Sequence, residues 1–199
     1  MPLPVLATTE LEAVNTMLTT IGESPVNSIS ESTADTRIAY IILGEVNRAT
    51  QIRGWHWNTE SDVTLTPDGT TKEITLGTDV VRVDVDERRY SNVNVIQRGV
   101  RLYDKKNHTY QFSEPVKAEV VYLRLFSELP EQARYYIIVR SARLFQQRMI
   151  GDATGSAFSA EEETTAFLAL QNAEDETADY NILDQYDIGK VTSRRPSIV

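Results

Sequence analysis

The chain is 199 residues long, with 29 acidic and 20 basic side chains, a net charge of −9, two histidines and no cysteine. That length fits one domain or two small ones, and such a chain buries about 70% of its unfolded surface without a disulfide or metal to hold it. The missing cysteine excludes a thiol nucleophile, His56 and His108 are too few for a His-rich zinc site, and the bulk negative charge argues against a surface built to neutralise DNA phosphates.

Met1 to Ala7 has no basic region and too short an apolar run for a secretion signal, so the chain reads as made in the cytoplasm. The apolar runs Ile38 to Leu43 and Tyr135 to Val139 fall far below the roughly 18–20 residues that cross a bilayer, and no membrane association is expected. Leu11, Val14, Met17, Leu18 and Ile21 recur at helical spacing behind a Thr9/Glu12 capping box, and Gly22 and Pro25 end the helix. A second apolar stripe follows at Ile38, Ile41, Ile42, Val46, Ala49 and Ile52, opened by Thr33 or Asp35 and closed by Gly54.

From Trp55 the period changes to two. Val63 and Leu65, Ile74 and Leu76, Val81 to Val85, a hairpin around Gln97-Arg98-Gly99, Tyr110 with Phe112, and Ala118 to Phe126 predict six or seven short strands in a small sandwich or barrel-like sheet. Helical spacing returns at Pro130 and runs to Gly151 with apolar residues on more than one side, which places this third helix centrally. A fourth helix opens at a Ser159/Glu162 capping box and continues towards Tyr180, and the last residues are mixed and irregular. The order predicts an α+β fold: a four-helix bundle with an antiparallel β-domain inserted between helices two and three. Residues 1–54 plus 129–180 then make the helical domain, 55–128 the β-domain, and 181–199 an extended C-terminal arm.

No phosphate-binding glycine loop and no GxSxG elbow occurs, and neither histidine sits in a catalytic motif. No catalytic residue, cofactor or metal is assigned. Asp62, Asp68 and Asp84 fall in or beside the strands, where turns and solvated faces explain them. Trp55 and Trp57 flank His56; in a strand both indoles would share one face and could stack on a sugar, but directly after a helix end they read first as packing or interface residues between bundle and β-domain. Charge is the stronger signal. Between Met149 and Gly189 there are ten acidic residues and no Lys or Arg, while the remainder holds 19 acidic and 20 basic residues. Glu174, Asp175 and Glu176 are the centre of a candidate acidic face, turned to a DNA channel or to a basic partner.

Several strings resemble one family. They are Leu11-Glu12-Ala13-Val14-Asn15 with Ile21-Gly22-Glu23-Ser24-Pro25-Val26, Arg53-Gly54-Trp55 with Trp57-Asn58, and Glu128-Leu129-Pro130-Glu131 with Arg134-Tyr135-Tyr136 and Phe145. In order and spacing they are similar to the tail tubular protein A, or head-to-tail adaptor, of short-tailed bacteriophages. The resemblance implies a virion protein that forms a twelve-membered ring between the portal protein and the nozzle, tail tubular protein B, with tail fibres near that junction and viral DNA passing through without specific binding. The mixed, irregular residues 181–199, with Asp187, Ile188, Val191, Arg194 and Arg195, read as a C-terminal arm that orders on the portal, because such ends seldom fold alone but can order on binding. Hydrolytic activity described for some relatives implies the alternative, a glycan hydrolase or glycan-binding tail component acting on host polysaccharide through the tryptophans and nearby carboxylates.

Overall fold

The computed structural model describes residues 7–30, 33–86, 90, 92–151 and 160–178. Among these, four helices and five strands give an α+β protein. Helix α1 spans Glu10–Thr19, and its Thr9/Glu12 capping box forms as the sequence predicts: Glu12 N–H donates to Thr9 Oγ1 at 3.2 Å and Thr9 N–H to Glu12 Oε2 at 2.8 Å. Helix α2, Ala34–Gln51, is capped by Thr33. After it come a 3-10 turn at His56–Asn58 and strands β1 (Thr59–Leu65), β2 (Val80–Asp84), β3 (Val95–Arg98), β4 (Arg101–Asp104) and β5 (Val116–Tyr122). Helix α3, Glu131–Ile150, starts after Pro130 and stops at Gly151, which takes the left-handed φ of 76° suited to a helix end. Helix α4 is Ala160–Ala178; Ser159, the expected cap, lies outside the described residues.

The helices share one hydrophobic cluster. Helix α3 packs on α1, α2 and α4, which accounts for its apolar residues on several sides: Ile137, Val139, Ala142 and Phe145 are fully buried. Glu163 of α4 ties the α3–α4 seam by accepting from Arg140 at 2.8 Å and Arg143 at 2.5 Å.

A second cluster gathers Ile74, Leu76, Val83, Leu102, Phe112, Val116, Ala118 and Val120. Its antiparallel sheet has the order β1-β5-β2, and β3 and β4 pair separately. The hairpin between β3 and β4 turns on two residues, with Gly99 at φ 62°, as a two-residue loop requires. The segments at Ile74 and at Tyr110 contribute isolated bridges instead of the expected strands. Asp68 caps its own turn through Thr70 and Thr71 N–H, and such side-chain hydrogen bonds take the place of a ladder there.

Two readings of the sequence need correction. The buried face of α2 is Thr36, Ala39, Ile42, Leu43, Val46, Thr50 and Gln51, whereas Ile38, Ile41, Ala49 and Ile52 of the expected stripe point outward. Buried polar residues are tolerated because each is satisfied: Thr36 Oγ1 lies 3.0 Å from Thr33 Oγ1, and Thr50 Oγ1 donates to Val46 O at 2.9 Å. Trp55 and Trp57 stand at a 3-10 turn, not in a strand.

Two glycines make opposite predictions. Gly54 has φ 76°, and a Cβ there would lie 2.6 Å from Arg82 Nη2 and 3.1 Å from Val121 Cγ2. Gly44 is helical, and its Cβ would meet only Arg48 Nη1 at 3.5 Å. In urea unfolding followed by tryptophan fluorescence, Gly54→Ala should lose about 1–2 kcal/mol, while Gly44→Ala should gain about 0.5–1 kcal/mol.

Candidate functional site

The helical and strand clusters meet where α2 ends. Gln51, 1% exposed, turns its carboxamide onto the chain just after β5: Arg124 N–H donates to Gln51 Oε1 at 2.7 Å, and Gln51 Nε2 donates to Arg124 O at 3.0 Å. Asn58, equally buried, works in the same way. Its Oδ1 accepts from Trp55 N–H at 2.7 Å, and its Nδ2 donates to Gln51 O at 3.0 Å and to Tyr122 O at 2.8 Å. Two side-chain amides therefore act as strand-like partners for backbone that neither a helix nor a sheet completes. Gly54 lets the chain pass close over Val121 and Arg82, whose Nη1 donates to Arg53 O at 3.2 Å.

The aromatic pair sits on the helical side of this junction. Trp55 is 6% exposed and donates from Nε1 to Thr50 O at 2.7 Å; Trp57 stacks beside it, with ring centroids 6.4 Å apart and planes within 9°. Phe167 of α4 meets Trp55 edge-on at 6.2 Å, and the Arg53 guanidinium lies over both rings, 4.8 Å from Phe167 and 5.5 Å from Trp55. The indoles are thus filled from one side by protein, and a flat exposed platform for a sugar is not what they form.

Within the acidic trio, the three carboxylates part company. Glu174 is 9% exposed and accepts from His56 N–H at the start of the 3-10 turn, whereas Asp175 and Glu176 are exposed. Composition could not separate them; the four-residue step from Leu170, also buried, places Glu174 on the inward face of α4. Asp187, Ile188, Val191, Arg194 and Arg195 lie outside the described residues.

Arg134 is a contributor that spacing and composition did not single out as buried. It is 8% exposed and donates to three carbonyls, Leu129 O at 2.9 Å, Thr8 O at 2.9 Å and Ser127 O at 2.6 Å. It gathers the chain before α1, the turn at Phe126–Glu128 and the start of α3 into one end of the helical cluster.

Carboxylates do collect elsewhere. Asp62, Asp84, Asp86 and Glu119 line a cleft of about 340 Å³ with Lys117, and Asp62 takes φ 57° at the bulge of β1. Neither tryptophan lines it; Trp55 instead lines a smaller cleft of about 260 Å³ with Arg53, Gln171 and the carboxylates of Glu174 and Asp175. The carboxyl groups that are shifted clearly, Asp68 and Asp104, both lie below the usual range, opposite to what a general acid needs. At Asp104, burial raises the pKa, but hydrogen bonds from Asn107 Nδ2 and from the Asn94, Lys106 and Asn107 N–H groups outweigh it. Among the described residues no group of three or more His, Asp or Glu is placed to hold a metal, and no helix is long and apolar enough to cross a membrane.

This architecture, with its Arg53-Gly54-Trp55 corner and the Arg134 clamp, coincides with a sequence match: the family described as tail tubular protein matches residues 11–180. The chain belongs to that family. Tail tubular protein A of Klebsiella phage KP34 is 28% identical to it over 168 residues, which cover 81% of this chain and 85% of the phage protein. This tail tubular protein is accordingly a structural component of a bacteriophage tail, where it assembles with other tail proteins.

The junction makes a direct prediction for it. Gln51→Ala leaves the Arg124 N–H and C=O without partners and should cost about 1–3 kcal/mol for each buried group so stranded. Asp175→Asn, on the exposed side of α4, should stay within about 0.5 kcal/mol of the parent. Urea unfolding of both variants checks the contrast.

Proposed function

We propose that this tail protein is a ring-forming adaptor that joins the portal protein to the nozzle, tail tubular protein B. In this reading the ring is a dodecamer that extends the DNA ejection channel and gives tail fibres a place to dock. The helices form a four-helix bundle, residues 1–54 plus 129–180, and the strands a domain inserted at 55–128. Residues 181–199 are an arm that seats on the portal through Asp187, Ile188, Val191, Arg194 and Arg195.

The observation that carries the reading is the hydrogen-bonded link between two cores. Gln51 and Asn58 bind the α2 end to the end of β5, which offers a direct path for load between the two parts. A connector between two different neighbours needs one rigid body with separate faces. The kinship with tail tubular protein A of phage KP34 supports the same role. Trp55 and Trp57 serve this link as packing residues. The acidic excess of α4 has two possible destinations in a ring: a channel wall, where it repels passing DNA, or a neighbour's basic face.

Mass measurement of the full chain mixed with its portal protein tests the proposal. A complex of ring mass is expected, and persistent failure to associate contradicts it. Deleting residues 189–199 should weaken portal attachment while leaving the unfolding curve of the chain unchanged; undiminished attachment removes the arm from the account.

A further inference from the structure

Among the described residues, the outward side of α2 carries exposed apolar side chains. Ile38, Ile41 and Ile52 are 37%, 59% and 52% exposed. Arg37, Ile41, Arg48 and Ile52 fall on one side of the helix, at steps of four, seven and four residues. Gly44 lies between Ile41 and Arg48, and its missing side chain opens a groove of about 350 Å³ lined by Glu10 of α1 together with Tyr40, Ile41, Leu43, Arg48 and Phe126. Glu45, on the same side, is neutralised by Arg148 at 3.0 Å. Arg37 and Arg48 make no ion pair among the described residues and flank the central part of the face with positive charge, while the Glu10 carboxylate of the groove accepts from Tyr40 Oη at 3.5 Å.

Helix α4 presents the complement. Glu161, Leu168 and Asp175 are spaced by seven residues and all exposed, with Leu168 52% exposed in the middle, and α4 contains no Lys or Arg. Neither Glu161 nor Asp175 makes an ion pair among the described residues. α3 packs against both α2 and α4, whereas α2 and α4 do not pack on each other, so the outward faces of those two helices are separate surfaces. One copy therefore cannot bring them together, but two copies can.

We infer that the outward face of α2 receives the outward face of α4 from a second copy of this chain, with Leu168 seated in the groove at Gly44 and the carboxylates of Glu161 and Asp175 set against Arg37 and Arg48. This deepens the adaptor reading and rests on it. The pairing is heterologous, with two different patches on each subunit, which is the interface type that closes a ring. It sends the exposed acids of α4 to a neighbour instead of to the channel. A glycine in the middle of an exposed helix, which costs helix stability, then has a reason: any side chain there narrows the groove.

The absence of cysteine in the native chain makes the test clean. Ile41→Cys and Leu168→Cys are introduced separately into full-length protein, the two are mixed on the portal, and thiols are joined with a short bismaleimide. The expected result is crosslinked pairs from the mixture, and a ladder of multimers from the double variant. Crosslinking by the Ile41→Cys protein alone means a like-with-like contact and overturns the inference. Rings that assemble and give no 41–168 crosslink also overturn it, and leave the adaptor reading standing. If parent protein forms no complex with the portal, the adaptor reading falls and takes this inference with it. Gly44→Leu supplies a second measure: the chain should keep its tryptophan fluorescence and helical signal while the assembled fraction falls about tenfold or more, the change that 1.4 kcal/mol of lost contact produces. Undiminished assembly of a folded Gly44→Leu protein contradicts the groove.

Discussion

The fold depends on two carboxamides that finish hydrogen bonding where secondary structure runs out. A helix end leaves carbonyls unpaired, and a strand that leaves its sheet does the same. In this protein both events occur at one point, where α2 stops beneath the last residues of β5. Gln51 pairs with the N–H and C=O of Arg124, and Asn58 bridges the carbonyls of Gln51 and Tyr122. The burial of Gln51 and Asn58 makes these bonds consequential, since a lost partner leaves polar groups that water reaches only in part. The close approach is possible because Gly54 has no side chain, and the tryptophans then close the helical side against Phe167.

The same corner explains how a small chain of two clusters can behave as one body. β5 buries Val116, Ala118 and Val120 towards the strand cluster, then breaks the alternation by burying Val121 as well, under Gly54. Within the helical cluster Arg134 binds three carbonyls, that of Thr8 before α1 and those of Ser127 and Leu129 before α3. Guanidinium geometry suits that task, as its donors are fixed in one plane and remain charged. Arg134 thus fixes one end of the helical cluster itself, while Gln51 and Asn58 tie the helices to the end of β5.

Much of the fold was legible in the sequence wherever local chemistry decides it. The Thr9/Glu12 box, the Thr33 cap, Gly54, Pro130 and Gly151 mark their helix ends because each solves a backbone problem within a few residues. The face of α2 was not legible. Its apolar residues lie on two sides, and the buried side includes Thr36, Thr50 and Gln51, whose polarity is hidden by partners that no periodicity reveals. Glu174 was misplaced among exposed acids for a related reason, since its acceptor role toward His56 N–H comes from a residue 118 positions away. The strand count was overestimated where Asp68 and Asp104 gather backbone N–H groups into turns that compete with ladder pairing.

Charge shows the same lesson in the aggregate. A net of −9 describes no single surface of the molecule, because Glu163 is spent on two arginines, Glu174 is turned inward, and Asp175 and Glu176 alone of the central trio face outward. The account stands on the junction as one cooperative link between the helical and strand clusters. Native-state hydrogen exchange at the Arg124 amide and the Asn58 side chain tests it most directly. Exchange only through global unfolding, at the same free energy as the buried amides of α3 and β5, is the predicted result. Exchange through a lower-energy opening that leaves either cluster protected would contradict it.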